Sequence, residues 1–229
     1  MTISEPMVGD DGVARCWWSG TAPDYIEYHD HEWGRPVVDD VGLFEKICLE
    51  GFQSGLAWIT ILRKRENFRA AFDHFEFGVV ADYGEDDVTR LIGNAGIVRH
   101  QGKIRSTINN AARAVEMVES EGSLAAYFWG WEPSDDEVDR SQGFVVPATT
   151  PTSTLIAKDL KKRGWSFVGP TTVYAFMQAM GLVNDHLPGC DTRLVCDELR
   201  ASLTRPGCGE AAGGAIALGR RVGPQPAGE

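Results

Sequence analysis

The sequence lacks the features of a membrane or secreted protein. No stretch approaches the roughly 18 consecutive apolar residues that a membrane-spanning helix needs. The N-terminal segment, MTISEPMVGDDG, is acidic and polar, whereas a secretory signal is basic and then apolar. We therefore expect a soluble, cytoplasmic protein with no membrane partner.

Cysteine is also scarce. The 229 residues include five cysteines, an odd number, whereas small secreted folds held by disulfides are cysteine-dense and usually carry an even number. This usage predicts free thiols in a reducing compartment, where they are available to bind a metal.

Basic residues are in the minority. The chain has 22 Lys and Arg against 33 Asp and Glu, a formal net charge of −11, which counts against a nucleic-acid partner. However, acidic residues concentrate in 82–88 and 132–139, whereas 61–69, 97–114 and 158–164 are locally basic. This segregation predicts separate faces of opposite charge. The alternative is that each basic run is only a solvated helix face.

Neither strand-like alternation nor an internal repeat is visible, and helical periodicity dominates instead. Apolar residues recur at three- and four-residue steps at Leu43, Phe44, Ile47, Cys48 and Phe52, at Val88, Leu91 and Ile92, and at Ile104, Ile108, Ala111, Ala112 and Val115. Ser or Thr near the start and glycine just past the end indicate two further helices, over about 154–163 and 172–180. We predict an all-α fold with one helical domain over 13–200. Residues 1–12 and the Gly/Ala/Pro-rich segment 206–229 are predicted to be disordered ends, and 129–151 a long loop.

Residues 88–113 show a helix–hairpin–helix pattern: an apolar helix, a short break at the letters NAG, and a second helix starting near Arg99. Gly96 would let the hairpin backbone approach a phosphate, which the amides at the start of the second helix could bind. Arg99, Lys103 and Arg105 would add positive charge nearby. The alternative is an ordinary corner between two helices.

Two pairs of residues at opposite ends of the chain form a candidate metal site. Cys16 with His29, and His186 with Cys190, would together supply the ligands of a tetrahedral zinc ion. Because four protein ligands leave no position for water, such a zinc would be structural, joining the N-terminal and C-terminal segments. The alternative is a set of unrelated core cysteines and histidines.

Glu50 is the most suggestive acid, because a helical wheel places it at the margin of an apolar stripe. A half-buried carboxylate has a perturbed pKa and can be functional; the alternative is a side chain that reaches water from the helix edge. Aromatic residues are dense around this segment: Trp17, Trp18, Tyr25, Tyr28, Trp33 and Trp58. Such rings beside an acid can stack and bind a flat, cationic heterocycle.

Three motifs carry a family resemblance: YHDHEWGRPVVDDVGLFEKICLEGFQSGLAWITILRKRENFRAAF, AGIVRHQGKI and LKKRGWSFVGPTTVYAFMQAMGLVNDHLPGC. They occur in the order typical of the 3-methyladenine DNA glycosylase I family, in the helix–hairpin–helix glycosylase superfamily, which the chain resembles over about residues 15–190. The resemblance implies an all-α base-excision repair enzyme. It would flip N3-methylated adenine out of double-stranded DNA and hydrolyse its bond to deoxyribose, releasing the base and leaving an abasic site.

The resemblance also implies residue roles. Glu50 matches the pocket acid, and we assign it the catalytic role. The aromatic residues that match the pocket, or support it, are Tyr28, Trp58, Trp18 and Trp33. Gly55 and Leu56 fall where the family presents a small wedge to the duplex. The ligands that match one structural zinc per chain are Cys16, His29, His186 and Cys190.

The sequence leaves alternatives open for the activity of the protein. Asn109 and Asn110, not an acid, follow the hairpin in the second helix, so no abasic-site lyase activity is expected. A first rival is a zinc-containing helix–hairpin–helix DNA-binding protein without glycosylase activity. A second is a zinc-dependent hydrolase of a small molecule. We expect a monomer.

Overall fold

The computed structural model describes residues 5–134, 136–138 and 144–207, and within them the chain is mostly helical. The helices are α1 (Pro23–His31), α2 (Asp40–Gln53), α3 (Trp58–Leu62), α4 (Arg65–Ala71), α5 (Phe77–Val80), α6 (Glu85–Gly93), α7 (Gln101–Glu121), α8 (Leu124–Trp129), α9 (Pro151–Lys162), α10 (Pro170–Ala179) and α11 (Asp191–Ser202). Short 3₁₀ turns lie at Trp17–Ser19 and Asp73–Phe75. No helix among the described residues is long and apolar enough to cross a membrane.

A small antiparallel sheet corrects the all-α prediction and part of the prediction for residues 1–12. Strand β1 (Met7–Val8) pairs with β2 (Ala14–Arg15), with Met7 opposite Arg15. The Arg15 guanidinium donates to the Asp30 carboxylate at 2.8 Å. This pair joins the hairpin to α1, which explains why a polar, Gly-containing segment is ordered. Residues 1–4 lie outside the described part of the chain.

Helix α2 is the centre of the core. Every residue from Leu49 to Phe52 is buried, and α7 and α10 pack against this helix. The helix begins cleanly because the Asp39 carboxylate accepts the N–H of Gly42 at 2.6 Å, satisfying one of the unpaired amides of the first turn. The central position of α2 carries Glu50 into the interior.

Helix starts differ from the sequence predictions by two or three residues. Helix α7 begins at Gln101, not near Arg99, because His100 is extended and its Nδ1 accepts the N–H of Lys103 at 3.2 Å. Helix α9 begins at Pro151, not Thr154. Thr150 and Ser153 cap each other there, and proline suits the first turn of a helix.

The described part of the acidic segment after α8 has no regular secondary structure and has a structural role. The Glu132 carboxylate accepts hydrogen bonds from Arg200 and Arg205, at 3.0 Å and 2.9 Å. These ion pairs tie the loop to the C-terminal end of α11. Of the segment predicted to be a disordered tail, Pro206 and Gly207 form a turn, and 208–229 lie outside the described residues.

Candidate functional site

The predicted pocket residues lie together. A cavity of about 460 Å³ opens between α1, α2 and α10, and its wall includes all five side chains singled out from sequence: Trp18, Tyr28, Trp33, Glu50 and Trp58. Residues from segments 144–146, 175–178 and 185–187 line the C-terminal side of the cavity. Residues some 150 positions apart in sequence therefore face one cavity, and their assigned roles in base binding stay predictions.

The aromatic rings of the cavity pack against each other at angles. The Trp18 and Trp33 rings are 4.9 Å apart with their planes at 73°, and the Tyr28 and Trp58 rings are 5.4 Å apart at 41°. The indole Nε1 of Trp58 is buried and has no acceptor among the described residues. An unmet donor in a pocket wall is an attachment point for a polar ligand.

Glu50 is more deeply buried than the helical wheel predicts. Its exposed fraction is 5%, so it does not reach water from the edge of the helix. Burial raises the pKa of Glu50 to about 7, although the charge of Lys46 opposes this rise. The carboxyl group therefore changes protonation near neutral pH, as functional acids often do.

Lys46 was missed by the sequence analysis. Its Nζ donates to the Tyr28 hydroxyl at 2.6 Å, lies 3.7 Å from Glu50 Oε1 and stands 3.8 Å from the centre of the Trp58 ring. Burial lowers the pKa of Lys46 to about 8. The available signal was the four-residue spacing to Glu50, but lysine is so seldom buried that an exposed side chain is the default expectation.

A second buried carboxylate lies across the cavity and was also missed. The Tyr174 hydroxyl and the Gln178 amide donate to Asp185 Oδ2, at 2.5 Å and 2.8 Å. Asp185 and Gln178 line the cavity, and so does Gln53 at the end of α2. The cavity thus combines apolar ring faces with a few fixed polar groups, the usual composition of a small-molecule site.

The four candidate metal ligands converge as predicted. Their ligand atoms lie within 4.8 Å of one another, and all four residues are buried. Cys190 Sγ is 3.6 Å from both His29 Nε2 and His186 Nδ1. A tetrahedral zinc ion with ordinary bond lengths has sulfur–nitrogen edges of roughly 3.5 Å. The cluster has the donor set and the dimensions to hold such an ion.

Hydrogen bonds orient the ligand side chains from outside the cluster. His29 Nδ1 pairs with the Asp30 carboxylate at 2.7 Å, and His186 Nε2 donates to the Trp33 carbonyl at 3.0 Å. Outer partners of this kind are typical of metal-binding histidines, because they fix the ring and its protonated nitrogen. Contact with Cys16, followed by contacts with the two histidines, lowers the pKa of the Cys190 thiol.

The residues predicted to bind DNA at the hairpin between α6 and α7 lie in different environments, and their role stays a prediction. Lys103 has an exposed fraction of 7%, and its Nζ donates to the carbonyls of Phe52 and Ser54, at 2.9 Å and 2.6 Å. The ammonium is turned inward because the carbonyls at the end of α2 need donors, so it is not available to a phosphate. Arg105 is exposed, but both its terminal nitrogens bind Glu85 at 2.7 Å. Arg99 is exposed and has no ion pair among the described residues.

The segment matched to a wedge is a solvent-exposed loop (residues 54–57, the wedge loop). Gly55 has φ +83°, a left-handed conformation that favours glycine. Leu56 is 42% exposed at the tip of the loop, which directly follows α2 and precedes Trp58. At the hairpin, a side chain on Gly96 would crowd the side chains of Asn94 and Asn67, so close packing favours glycine there.

Comparisons with known proteins agree with this site. The sequence profile of the family described as methyladenine glycosylase matches residues 18–194. The chain is 48% identical over 179 residues to DNA-3-methyladenine glycosylase 1 of Escherichia coli (strain K12), covering 78% of this chain and 96% of that protein. It is 43% identical over 181 residues to DNA-3-methyladenine glycosylase of Haemophilus influenzae, covering 78% and 97%.

A solved structure gives the same result for the fold. The 3-methyladenine DNA glycosylase I of Staphylococcus aureus, solved to explain how it recognises 3-methyladenine, superposes with a TM-score of 0.73 at 34% identity. The match covers 78% of this chain and 96% of that one. The family profile match, residues 18–194, contains Glu50, the hairpin and the cavity lining except Trp17. The chain belongs to the methyladenine glycosylase family.

Proposed function

We propose that this chain is a monofunctional DNA glycosylase of base-excision repair that releases 3-methyladenine from alkylated double-stranded DNA. The observation that carries the proposal is a buried carboxylate, Glu50, in the wall of an aromatic cavity of about 460 Å³. A cavity lined by aromatic rings and buried carboxylates suits a flat, positively charged purine. The relatives named DNA-3-methyladenine glycosylase support the same substrate.

The lesion supplies much of the driving force for the reaction. Methylation at N3 makes the purine a cation in the nucleotide, so the bond from C1′ to N9 breaks with its electron pair moving to N9. The base leaves uncharged, and water adds to C1′ and loses a proton. The protein must flip the nucleotide at a cost of a few kcal/mol and hold the base between rings. Glu50 favours the cationic purine over neutral adenine.

The surface beside the cavity suits the duplex. Leu56 at the tip of the wedge loop is an apolar side chain that can fill the space left by a flipped nucleotide. Arg99 and the backbone near Gly96 form the proposed phosphate contact of the hairpin. The contribution of Arg105 requires release from Glu85, and Lys103 acts from inside the protein.

The Cys/His cluster is proposed to hold one structural zinc ion. Cys16, His29, His186 and Cys190 would fill the four tetrahedral positions, and a bound zinc would supply stability to the fold. This arrangement disfavours the rival reading as a zinc-dependent hydrolase, because that chemistry needs an open coordination position. We further propose that the protein acts as a monomer in the cytoplasm.

Lyase activity is not expected, because it needs an amine that can attack C1′. Lys46 Nζ is held by the Tyr28 hydroxyl and the Trp58 ring and is not part of the cavity wall. The amides of Asn109 and Asn110 are held by the carbonyls of Gly164 and Ser166. The proposed product is therefore an intact abasic site.

Chromatographic analysis of the bases released from methylated duplex DNA tests the proposal. We expect free 3-methyladenine in the supernatant and an abasic strand that stays uncut until it is treated with alkali. Binding to methylated DNA without base release would instead establish the rival, a DNA-binding protein without glycosylase activity. Strand cleavage without alkali would contradict the monofunctional assignment.

A further inference from the structure

A buried lysine lies behind the proposed base pocket and is close to three residues of the pocket wall. The Lys46 ammonium bonds the Tyr28 hydroxyl, faces Glu50 Oε1 at 3.7 Å and stands over the Trp58 ring at 3.8 Å. Its side chain is 7% exposed. Because Lys46 is not part of the cavity wall, it acts on a ligand only through these neighbours. A charged group in the interior is costly unless a partner offsets it.

Glu50 is the carboxylate that offsets the charge of Lys46, because the other nearby acids have arginine partners. The other carboxylates whose charges reach Lys46 are Glu32 and Glu45. Arg65 binds Glu32 at 2.8 Å, and Arg69 binds Glu45 at 2.7 Å, so both are balanced by their own arginines. Lys46 and Glu50, one helical turn apart on α2, therefore form a pair of zero net charge.

A Lys–Glu pair of zero net charge affects how strongly the pocket prefers cationic ligands over uncharged ones. An isolated carboxylate would bind a cationic purine far better than an uncharged one of the same shape. With an ammonium 3.7 Å away, much of that electrostatic preference is cancelled. We propose that Lys46 is the internal counterion of Glu50 and a specificity-determining residue, which lowers the preference of the pocket for cationic over uncharged purines.

The counterion has a consequence for the reaction, if the chain acts as proposed above. The positive charge lies on the base in the substrate and moves to the sugar as the bond breaks. A pocket with an uncompensated carboxylate would stabilise the bound cation more than the transition state, which tightens binding and slows turnover. Lys46 reduces this ground-state stabilisation. Its donation to the Tyr28 hydroxyl also leaves the hydroxyl hydrogen free to point elsewhere.

Calorimetric titration with two free ligands tests the proposal. The uncharged probe is free 3-methyladenine, and the charged probe is the same purine methylated at N9, a permanent cation. Removing the ammonium raises the pKa of Glu50, so affinities are measured over a series of pH values and referred to the ionised form of Glu50. On that basis, Lys46→Met should raise the preference for the cation on the order of tenfold. Lys46→Arg, which keeps the charge, should restore a ratio close to that of the unaltered protein.

A remote cation provides the matched control. Arg163 also stands over an aromatic ring, that of Tyr127, and pairs with Asp159 and Glu121. Arg163→Met should leave the ligand ratio unchanged. On methylated duplex, at a pH high enough to ionise Glu50 in the variant, Lys46→Met should lower KM and kcat together, which a loss of packing alone would not do. An unchanged ligand ratio in folded Lys46→Met would overturn the proposal.

If Lys46→Met does not fold, the counterion proposal can be tested on the unaltered protein. Nitrogen-15 NMR of the Lys46 ammonium should show that the cationic probe promotes its deprotonation, whereas free 3-methyladenine does not. An identical response to both ligands would overturn the proposal. Failure of the unaltered protein to release 3-methyladenine would instead refute the proposed function. Release together with an unchanged ratio would refute only the counterion.

Discussion

Glu50 owes its properties to its position on a helix that is buried on every side. A carboxylate on an exposed helix would be hydrated and would discriminate weakly between charged and uncharged ligands. Packing between α7 and α10 removes that water, and the aromatic rings of the cavity wall supply flat surfaces. The same burial that perturbs the acid therefore makes it selective.

Replacing Glu50 by glutamine tests this role. Glu50→Gln keeps the shape of the side chain but loses the charge and one acceptor. We expect a folded protein whose affinity for free 3-methyladenine falls by roughly 1.5–3 kcal/mol, the scale of a charge-assisted hydrogen bond. Excision should slow as well, though less than on loss of a true acid catalyst, because the leaving group is already activated. Calorimetry measures the affinity, and single-turnover excision measures the rate. An unchanged base affinity would show that Glu50 does not contact the base.

The buried pair should also cost stability. The pKa of Glu50 is raised from 4.5 to about 7, so its contribution to stability is full below 4.5 and is lost as pH rises through about 7. The pKa of Lys46 is lowered from 10.5 to about 8, so its contribution is full above 10.5 and is lost as pH falls through about 8. Both penalties are near their maximum between about 7 and about 8.

The double variant Lys46→Met/Glu50→Gln should therefore be more stable than the unaltered protein in that window, by ~1–4 kcal/mol. Urea denaturation at several pH values measures the difference. The advantage should shrink toward acid pH, where Glu50 is protonated in both states, and toward alkaline pH, where Lys46 is neutral. A double variant that is less stable throughout would show that the pair stabilises the fold.

The site residues that could be predicted from the sequence differ in residue type from those that could not. The four metal ligands and the pocket aromatics are chemically distinctive, so their convergence could be predicted. Lys46 and Lys103 could not, because an inward-facing lysine is decided by which buried acceptors the fold leaves open. For Lys103 these acceptors are carbonyls at the end of α2, 49 or more positions away in sequence.

At the scale of elements, Lys103 connects the two parts of the proposed DNA surface. It lies in the first turn of α7, directly after the hairpin, and holds the carbonyls of Phe52 and Ser54 at the start of the wedge loop. The last carbonyls of a helix lack partners within the helix, and a lysine is an effective donor to them. The hairpin and the wedge loop are thus fixed relative to each other by one side chain.

Removing this lysine should affect excision but not base recognition. Lys103→Met should lower excision from duplex DNA on the order of tenfold, because the wedge loop loses charge-assisted hydrogen bonds of ~1.5–3 kcal/mol each. Affinity for free 3-methyladenine should be unchanged, since Lys103 does not line the cavity. Single-turnover excision and calorimetry distinguish the two effects.

Arg99→Ala provides the comparison for that variant. As an exposed cation at the hairpin, Arg99 should contribute about one unit to the slope of log affinity against log salt concentration. Lys103→Met should leave this slope as it is. A smaller salt slope in Lys103→Met would mean that the ammonium turns outward on binding and contacts a phosphate.

Helical periodicity predicts the elements better than their ends. The apolar repeats predicted α2, α6 and α7, because each buries one face or more against the core. Ser or Thr near the start and glycine past the end predicted α9 and α10. The starts of α7 and α9 shifted because His100, Thr150 and Ser153 satisfy the first amides of the helices. The strand pair near the N-terminus depends on ion pairs with α1, which no local pattern indicates.

At the scale of the whole molecule, the proposed metal joins the two ends of the domain. Cys16 and His29 come from the N-terminal hairpin and α1, and His186 and Cys190 from the segment before α11. His186 also binds the Trp33 carbonyl, and Trp33 lines the cavity. A metal bound by this cluster would close a long loop, and so would stabilise the fold and fix one wall of the pocket.

Loss of one metal ligand should therefore lower the stability of the protein far more than it lowers the excision activity of the molecules that stay folded. Zinc should co-purify at one ion per chain, and Cys190→Ala should lower both the zinc content and the Tm, the latter by about 10 °C or more. Cys196→Ala is the matched control, because Cys196 is also buried near Trp33 but lies outside the cluster; it should keep the full zinc content. Metal analysis and thermal denaturation measure both effects, with excision by the folded fraction as the reference. A full complement of zinc in the Cys16/Cys190 double alanine variant would place the metal elsewhere, since only two imidazoles would remain to hold it.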